Sequence, residues 1–292
     1  MRNLKLVEPQ SQKQLYAESV RQACEKTPFE KLDPDRTAID RERIRRTLAL
    51  LAQHSDPKSL RIADLGCGVG KIALALGEKG AQVIAVDAMN SLLQQCVPQI
   101  ICKQAYIPYL PFTDESFDGI VFTDVIASIE SHLHRLTLSE LARLADRDGW
   151  LLISTPLDLY SLDADVLFLQ LVETEFEVID TVSSYHRLHF HLCRWIEAPA
   201  RFTRAGRSTA YRQAQMQKRK GLARLWFALN SQRLIAPAWQ PFAWLLTGPC
   251  KFVKNSRRML LLAERLSEML WGSTALTHMI VLARKKKMVY NV

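Results

Sequence analysis

Three glycines on alternate positions, Gly66, Gly68 and Gly70, stand between two acidic residues, Asp64 and Asp87. Glycine lets the backbone turn sharply and lets a ligand approach the main chain without a Cβ in the way. A helix that begins after such a turn presents free N–H groups, which suit a carboxylate or a phosphate. An acid about 20 residues after the first glycine can accept hydrogen bonds from a ribose diol. These residues predict a site for a ligand that contains a ribose.

The segments around the glycines must form two strands and a helix if the acids are to meet the turn. Ile62 and Ala63 lead into Asp64 as a first strand, residues 81–86 are a short apolar run typical of a buried strand, and residues 71–79 have the apolar spacing of a helix. The spacing Gly-x-Gly-x-Gly differs from the Gly-x-Gly-x-x-Gly of dinucleotide-binding turns and argues against NAD. Asp64 disfavours a pyrophosphate by its charge, but it suits a ligand with an ammonium and a sulfonium group.

A second motif follows at residues 110–118, Leu-Pro-Phe-Thr-Asp-Glu-Ser-Phe-Asp. With the glycine turn, it resembles the class I methyltransferases that depend on S-adenosylmethionine (SAM), in their branch of small-molecule and lipid methyltransferases. The resemblance implies SAM as the cofactor. It also implies an α/β, Rossmann-like, doubly wound sheet of seven strands in which the seventh strand, at residues 277–285, is antiparallel. A helical insertion between strands six and seven completes the expected fold.

The resemblance also assigns the cofactor contacts to matching positions of this sequence. They are Asp64, Gly66, Cys67, Gly68, Gly70, Asp87, Ala88, Met89, Tyr106, Ile107, Asp124 and Val125. The chain departs from the family pattern at two places. Gln104 and Tyr106 occupy the region where an acid usually contacts adenine, so backbone groups near Ile107 or stacking on Tyr106 would have to serve. Ala127 and Ser128 replace the Glu-His pair common after strand four.

We expect four regions along the chain. Residues 1–57 would form N-terminal cap helices, at 11–27 and 35–54, and residues 58–185 would form the SAM-binding core. Residues 186–275 would form a helical insertion or lid, and residues 276–292 the last strand and a tail. This insertion is far longer than the hairpin that two neighbouring antiparallel strands need.

The insertion differs sharply from the core in charge. Residues 1–185 carry 19 Lys and Arg against 27 Asp and Glu, whereas residues 186–275 carry 16 against 3, with five of the six tryptophans. The run 234–250 is uncharged, but its prolines and its length argue against a membrane span. Residues 222–229 and 259–270 predict amphipathic or apolar helices. A lid that packs on the core and a lid that contacts an anionic membrane both fit this pattern. A nucleic-acid partner fits less well, because tracking a phosphate backbone does not require an uncharged, Trp-rich run.

The first residues and the cysteines of the chain predict a protein that stays inside the cell. The first residues contain no apolar signal-peptide core, so we expect a cytoplasmic protein, with peripheral contact at the inner membrane face as a further expectation. The six cysteines form no C-x-x-C pair. This pattern predicts neither a structural metal nor a disulfide.

Methyl transfer from a sulfonium is an in-line displacement, which needs a base only when the acceptor is protonated. Histidines that follow strands four and six are the candidates, and we choose His186 as the catalytic base. His189 and His191 would share a face if their segment were extended. The sequence predicts a SAM-dependent methyltransferase that acts on a hydrophobic or amphiphilic small molecule, such as a quinone or lipid precursor. The alternatives are an RNA or protein methyltransferase and a non-catalytic SAM-binding protein.

Overall fold

One seven-stranded sheet organises residues 40–184 and 276–287. The computed structural model describes residues 37–157 and 163–287, together with Glu18 and Val20. The strand order is β3-β2-β1-β4-β5-β7-β6. The strands are β1 (Arg61–Leu65), β2 (Gln82–Asp87), β3 (Ile101–Gln104), β4 (Phe117–Thr123), β5 (Ala145–Pro156), β6 (Phe176–Ser184) and β7 (His278–Lys285).

Strand β7 gives the sheet its mixed character. It lies between β5 and β6 and is antiparallel to both, while β1 to β5 pair in parallel. Residues 278–283 are all buried, and residues 279–283 form an unbroken apolar run, as a strand covered on both faces requires. The predicted Rossmann-like sheet with an antiparallel seventh strand is confirmed.

Among the described residues, the α-helices of this sheet unit are α1 (Ala38–His54), α2 (Lys71–Gly77), α3 (Asn90–Leu93), α4 (His134–Leu144) and α5 (Ala164–Val172). Two apolar clusters form its core, because successive side chains of a strand point to opposite faces. Ala63 and Leu65 of β1 belong to one cluster, and Ile62 belongs to the other. The helix predicted at residues 11–27 lies outside the described residues.

Helix α1 is joined to the end of β6 by a buried acid and an arginine. Glu42 is buried, and its carboxylate accepts hydrogen bonds from Arg45 and Arg46. Arg46 also donates to the backbone oxygen of Ser183, at 3.2 Å, and to the hydroxyl of Ser184, at 3.0 Å. A buried charge is tolerated when it is paired in this way, so α1 has a defined position on the sheet unit.

Residues 37–39 and 185–275 form a second compact unit, which is helical. Beyond residue 186 its helices are α6 (Arg187–Ile196), α7 (Ala198–Arg207), α8 (Thr209–Gln217), α9 (Gly221–Asn230), α10 (Gln240–Leu245), α11 (Thr247–Asn255) and α12 (Arg257–Trp271). Phe202 and Phe227 are buried at its centre, with Trp239 packed against them. In the described part of the chain, no helix is long and apolar enough to cross a membrane.

Two details of the insertion bear on the sequence-based expectations. His189 and His191 lie in α6, where residues two apart point in different directions, so the expectation for an extended segment does not apply. The uncharged run 234–250 is divided among the short helix Ala236–Trp239, α10 and the start of α11. Pro237 and Pro241 lie in the first turns of two of these pieces, where the missing N–H of proline is tolerated.

Gly119 of β4 offers a test of packing between neighbouring strands. It pairs with Trp150 of β5, and a Cβ at Gly119 would lie 2.1 Å from Cζ2 of the indole ring. We expect Gly119→Ala to lower the free energy of unfolding by about 1 to 3 kcal/mol, because the ring must move within a packed core. Urea denaturation would measure the loss.

Gly248→Ala in α11 is the matched control. No atom lies within 4 Å of its added Cβ, and alanine is the better helix former. The control should leave stability unchanged or raise it slightly. Equal stability of Gly119→Ala and the wild type would contradict the described packing of Trp150.

Candidate functional site

The three glycines form a tight turn between β1 and α2. Their φ angles are +77° for Gly66, +57° for Gly68 and +74° for Gly70, in the left-handed region that side chains rarely adopt. The N–H groups of Gly66 and Cys67 donate to the backbone oxygen of Val86 at 2.7 and 3.0 Å. The turn is therefore held against the end of β2.

The absence of a side chain matters at Gly66 and at Gly68 for different reasons. A Cβ on Gly66 would lie 2.1 Å from Cγ2 of Val125, so this glycine permits close contact with the segment after β4. A Cβ on Gly68 would meet no atom within 4 Å. Backbone that is open on this side can be approached closely by a ligand, so the turn fits the cofactor that the sequence predicts.

Asp87 ends β2 directly beside this open backbone. Its carboxylate accepts hydrogen bonds from the N–H of Gly68 at 2.9 Å and the N–H of Met89 at 2.8 Å. Burial raises the pKa of Asp87, and these two hydrogen bonds oppose the rise. A carboxylate has about four acceptor positions, so capacity remains for a ribose diol.

Gln104 lies next to Asp87 in the sheet, where the family usually has an acid close by. Its side-chain amide donates to the backbone oxygen of Ala88 at 2.9 Å and to the hydroxyl of Tyr106 at 3.3 Å. The tyrosine ring is therefore held on the same edge of the sheet as Asp87. This arrangement brings predicted ribose and adenine contacts together.

Asp64 lies beneath the turn and is buried. Its carboxylate accepts a hydrogen bond of 3.1 Å from the N–H of Ala73, in the first turn of α2, and so satisfies one of the free donors of that helix. Burial raises the pKa of Asp64 to about 7. A cation bound at the turn would favour the ionised form of this acid.

Asp124, at the carboxyl end of β4, is the centre of a polar network. Its φ is +61°, and one carboxylate oxygen lies 2.6 Å from Nε2 of His278 and 3.1 Å from the hydroxyl of Ser154. The other oxygen pairs with Arg43 at 2.8 Å. Because an ionised carboxylate only accepts hydrogen bonds, Nε2 of His278 carries a proton.

This network fixes the charge of Asp124. Burial alone would raise the pKa of its carboxyl group, but the hydrogen bond and charge of His278, with the charge of Arg43 and the hydroxyl of Ser154, lower it below the usual value. The sequence analysis missed Arg43, Ser154 and His278 as partners. They come from α1, β5 and β7, and no local spacing connects them to Asp124 in the sequence.

The predicted catalytic base, His186, lies in the helical unit. It is buried before the first turn of α6, with Nε2 3.8 Å from a carboxylate oxygen of Glu264. Two other candidates lie in the sheet unit: His134 donates to the backbone oxygen of Ile129 at 2.9 Å, and His132 is exposed beside Glu130. The role of His186 stays a prediction.

Asp124→Asn tests the network because asparagine has nearly the same shape as aspartate but carries no charge. Asparagine also tolerates a positive φ, so the change isolates the lost ion pairs. We expect the free energy of unfolding to fall by about 1 to 3 kcal/mol near pH 7.

The pKa of Asp124 is lowered in the folded protein, so its contribution to stability is complete above the unfolded pKa and disappears as pH falls through the folded pKa. Denaturation at several pH values should therefore show the difference shrinking below about pH 4. A difference independent of pH would contradict this assignment.

Comparison with known sequences identifies the part of the chain that carries the turn. Residues 63–153 match the family model described as methyltransferase domain. The ubiquinone biosynthesis O-methyltransferase of Rickettsia conorii is 30% identical over 105 residues, which cover 35% of this chain and 36% of that protein. The ribosomal protein L11 methyltransferase of Helicobacter hepaticus is 27% identical over 128 residues, covering 41% and 38%. The chain thus spans less than half the length of these curated relatives.

A solved structure extends the likeness in fold beyond the family match. The 1,6-didemethyltoxoflavin-N1-methyltransferase of Burkholderia thailandensis, crystallised with 1,6-didemethyltoxoflavin and S-adenosylhomocysteine, superposes with a TM-score of 0.52 at 14% identity. The match covers 98% of this chain and 93% of that one. With the glycine turn, Asp87 and the antiparallel seventh strand, these findings identify residues 63–153 as a methyltransferase domain of the class I type, whose cofactor is SAM, within a sheet unit of the matching fold.

Proposed function

We propose that this protein transfers a methyl group from SAM to a hydrophobic or amphiphilic small molecule, such as a quinone or lipid precursor. The observation that carries the proposal is the position of the Asp87 carboxylate, fixed by the N–H groups of Gly68 and Met89 beside open backbone. An acid and bare backbone at this edge of the sheet suit a ribose and the amino-acid part of SAM.

The residues around the glycine turn have proposed parts in holding the cofactor. Asp87 would accept hydrogen bonds from the ribose hydroxyls, and Asp64 would balance positive charge beneath the turn. Tyr106 and the backbone at Ile107 would contact the adenine, while Asp124 and Val125 would limit the pocket on the side of β4. When bound, SAM supplies an electrophilic methyl carbon. The protein's main contribution to rate would be alignment of the acceptor with that carbon.

A protonated acceptor must also lose a proton as the new bond forms. His186 is the proposed base, and its Nε2 lies 3.8 Å from a carboxylate oxygen of Glu264. An acceptor that is already ionised or aprotic would need no base. A pH profile that is the same for His186→Gln and the wild type would therefore count against this role.

The small-molecule acceptor draws support from two sources. The curated relatives from Rickettsia include proteins named for ubiquinone biosynthesis, and the insertion of this chain exposes many large apolar side chains. A protein acceptor is the second candidate, because another relative is named for methylation of a ribosomal protein. An RNA acceptor would use the same positive charge of residues 186–275.

Asp87→Asn tests the cofactor site. The variant keeps the size of the side chain but loses the charged acceptor, so we expect SAM affinity to fall by roughly 10- to 100-fold. Isothermal titration calorimetry would measure it. Asp56→Asn is the control, since Asp56 is exposed and accepts one backbone hydrogen bond, from Lys58. Unchanged affinity in Asp87→Asn would contradict the placement of the ribose.

The acceptor class can be tested with SAM that carries a labelled methyl group. The full chain would be incubated with a cell extract, which is then separated into lipid, RNA and protein fractions. We expect label in the lipid fraction, and much less label with Asp87→Asn at the same SAM concentration. Label in RNA or protein would favour the second candidates, and SAM binding without transfer to any fraction would indicate a non-catalytic binding protein.

A further inference from the structure

Helix α9 turns an apolar stripe toward solvent. Leu222, Leu225, Trp226 and Leu229 have the spacing that places side chains on one face of a helix, and they are between 54% and 83% exposed. Phe227 points to a different side and is buried at 2% exposure. Most apolar residues of α9 therefore lie on the side that faces solvent, and of these the Trp226 ring also contacts Phe202, with ring centroids 4.9 Å apart. We call these four exposed residues the α9 stripe.

Helix α12 has the same inverted arrangement. Its buried residues are Leu260, Ala263, Glu264 and Ser267, of which two are polar. Glu264 accepts a hydrogen bond from the N–H of Tyr185, and Ser267 accepts one from Leu188. These bonds satisfy donors at the beginning of α6, so the polar residues of α12 are needed on its packed side.

Other apolar residues of α12 are left on the outside. Leu262, Leu266 and Met269 follow helical spacing and are 54%, 36% and 73% exposed. We call these three residues the α12 stripe. The sequence left open whether this face packs on the core or contacts a membrane, and in the structure these three residues face solvent. Exposed apolar surface of this kind marks a binding surface more often than an accident of packing.

Cations accompany both stripes. Arg258 and Arg265 lie one turn from Leu262, are exposed, and form no ion pair with any residue that the structure describes. Lys218, Lys220 and Arg224 are exposed before and within α9. The result is apolar surface bordered by positive charge.

Acidic residues do little to balance that charge. Residues 186–275 contain three acids. Glu197 pairs with Lys254, and Glu264 is buried against the start of α6. Glu268 is exposed. The surface of the helical unit therefore favours an anionic partner.

We propose that the α9 stripe and the α12 stripe dock on the surface of a bilayer that contains anionic lipid. Leucine and tryptophan side chains would enter the boundary between headgroups and acyl chains, and the flanking cations would contact lipid phosphates. A second copy of the chain is a poor occupant because it carries the same positive charge. Nucleic acid would match the cations but not the leucines. Docking on a bilayer would bring the protein to an amphiphilic acceptor, and this link to the acceptor is the part that rests on the proposed function.

Flotation of the full chain with lipid vesicles tests the proposal. Vesicles of phosphatidylcholine with phosphatidylglycerol should bind the protein, and pure phosphatidylcholine should bind it much less, with binding weakened by added salt. The double variants Leu222→Gln with Trp226→Gln, and Leu262→Gln with Leu266→Gln, should each weaken binding by about tenfold or more. Arg258→Gln with Arg265→Gln should weaken binding and reduce its salt dependence.

Leu136→Gln and Leu167→Gln are the matched controls. Both leucines are exposed in the sheet unit, on α4 and α5, so these variants should bind vesicles like the wild type. Equal losses in controls and stripe variants would overturn the proposal, as would a defined oligomer in sedimentation that the stripe variants abolish. SAM affinity is measured on the same samples. If a variant loses vesicle binding but keeps its affinity for SAM, the change affects the docking surface alone. If the wild type binds vesicles but does not bind SAM, the proposed function is overturned.

Discussion

The carboxylate of Asp87 holds together the parts on which the candidate site depends. It accepts hydrogen bonds from Gly68 in the first turn and from Met89 after the second strand. Because the two segments belong to neighbouring parallel strands, this one side chain fixes the turn against the sheet edge. The glycine turn also requires its glycines. A Cβ at Gly66 would collide with Val125, and a Cβ at Gly68 would meet no atom within 4 Å, so the backbone at Gly68 is open. Open backbone and a fixed acceptor on one edge are what a ribose-containing cofactor requires.

A second constraint acts at the next strand end. Asp124 adopts a positive φ and is surrounded by Arg43, Ser154 and His278. Such a conformation costs free energy and persists where surrounding contacts determine it. The partners come from a helix before the sheet and from strands on either side of the insertion. The charge of Asp124 therefore depends on the assembled sheet unit, and its ion pairs connect helix α1 with the antiparallel seventh strand.

The helical unit uses its polar and apolar residues in an unusual way. Glu264 and Ser267 of α12 are buried because they complete the hydrogen bonds at the start of α6. That requirement turns Leu262 and Leu266 of α12 outward, and α9 exposes its leucines as well. A unit with so few acids and so much exposed apolar surface has the properties of a surface that binds amphiphiles or lipid. In the proposed function, the helical unit binds the methyl acceptor and the sheet unit binds the methyl donor, SAM.

The sequence by itself determined the sheet architecture, the cofactor class and the position of the glycine turn. Those features depend on local patterns: alternate glycines, short apolar runs and an acid at a fixed distance. Strand β7 was also predictable, because its apolar run resembles a buried strand. Only the tertiary structure decided the partners of Asp124 and the direction of the apolar stripes in α9 and α12. Both depend on contacts between residues far apart in the chain, since Asp124 and His278 are 154 positions apart. The periodicity of a helix shows that it has two sides, but only its neighbours determine which side is buried.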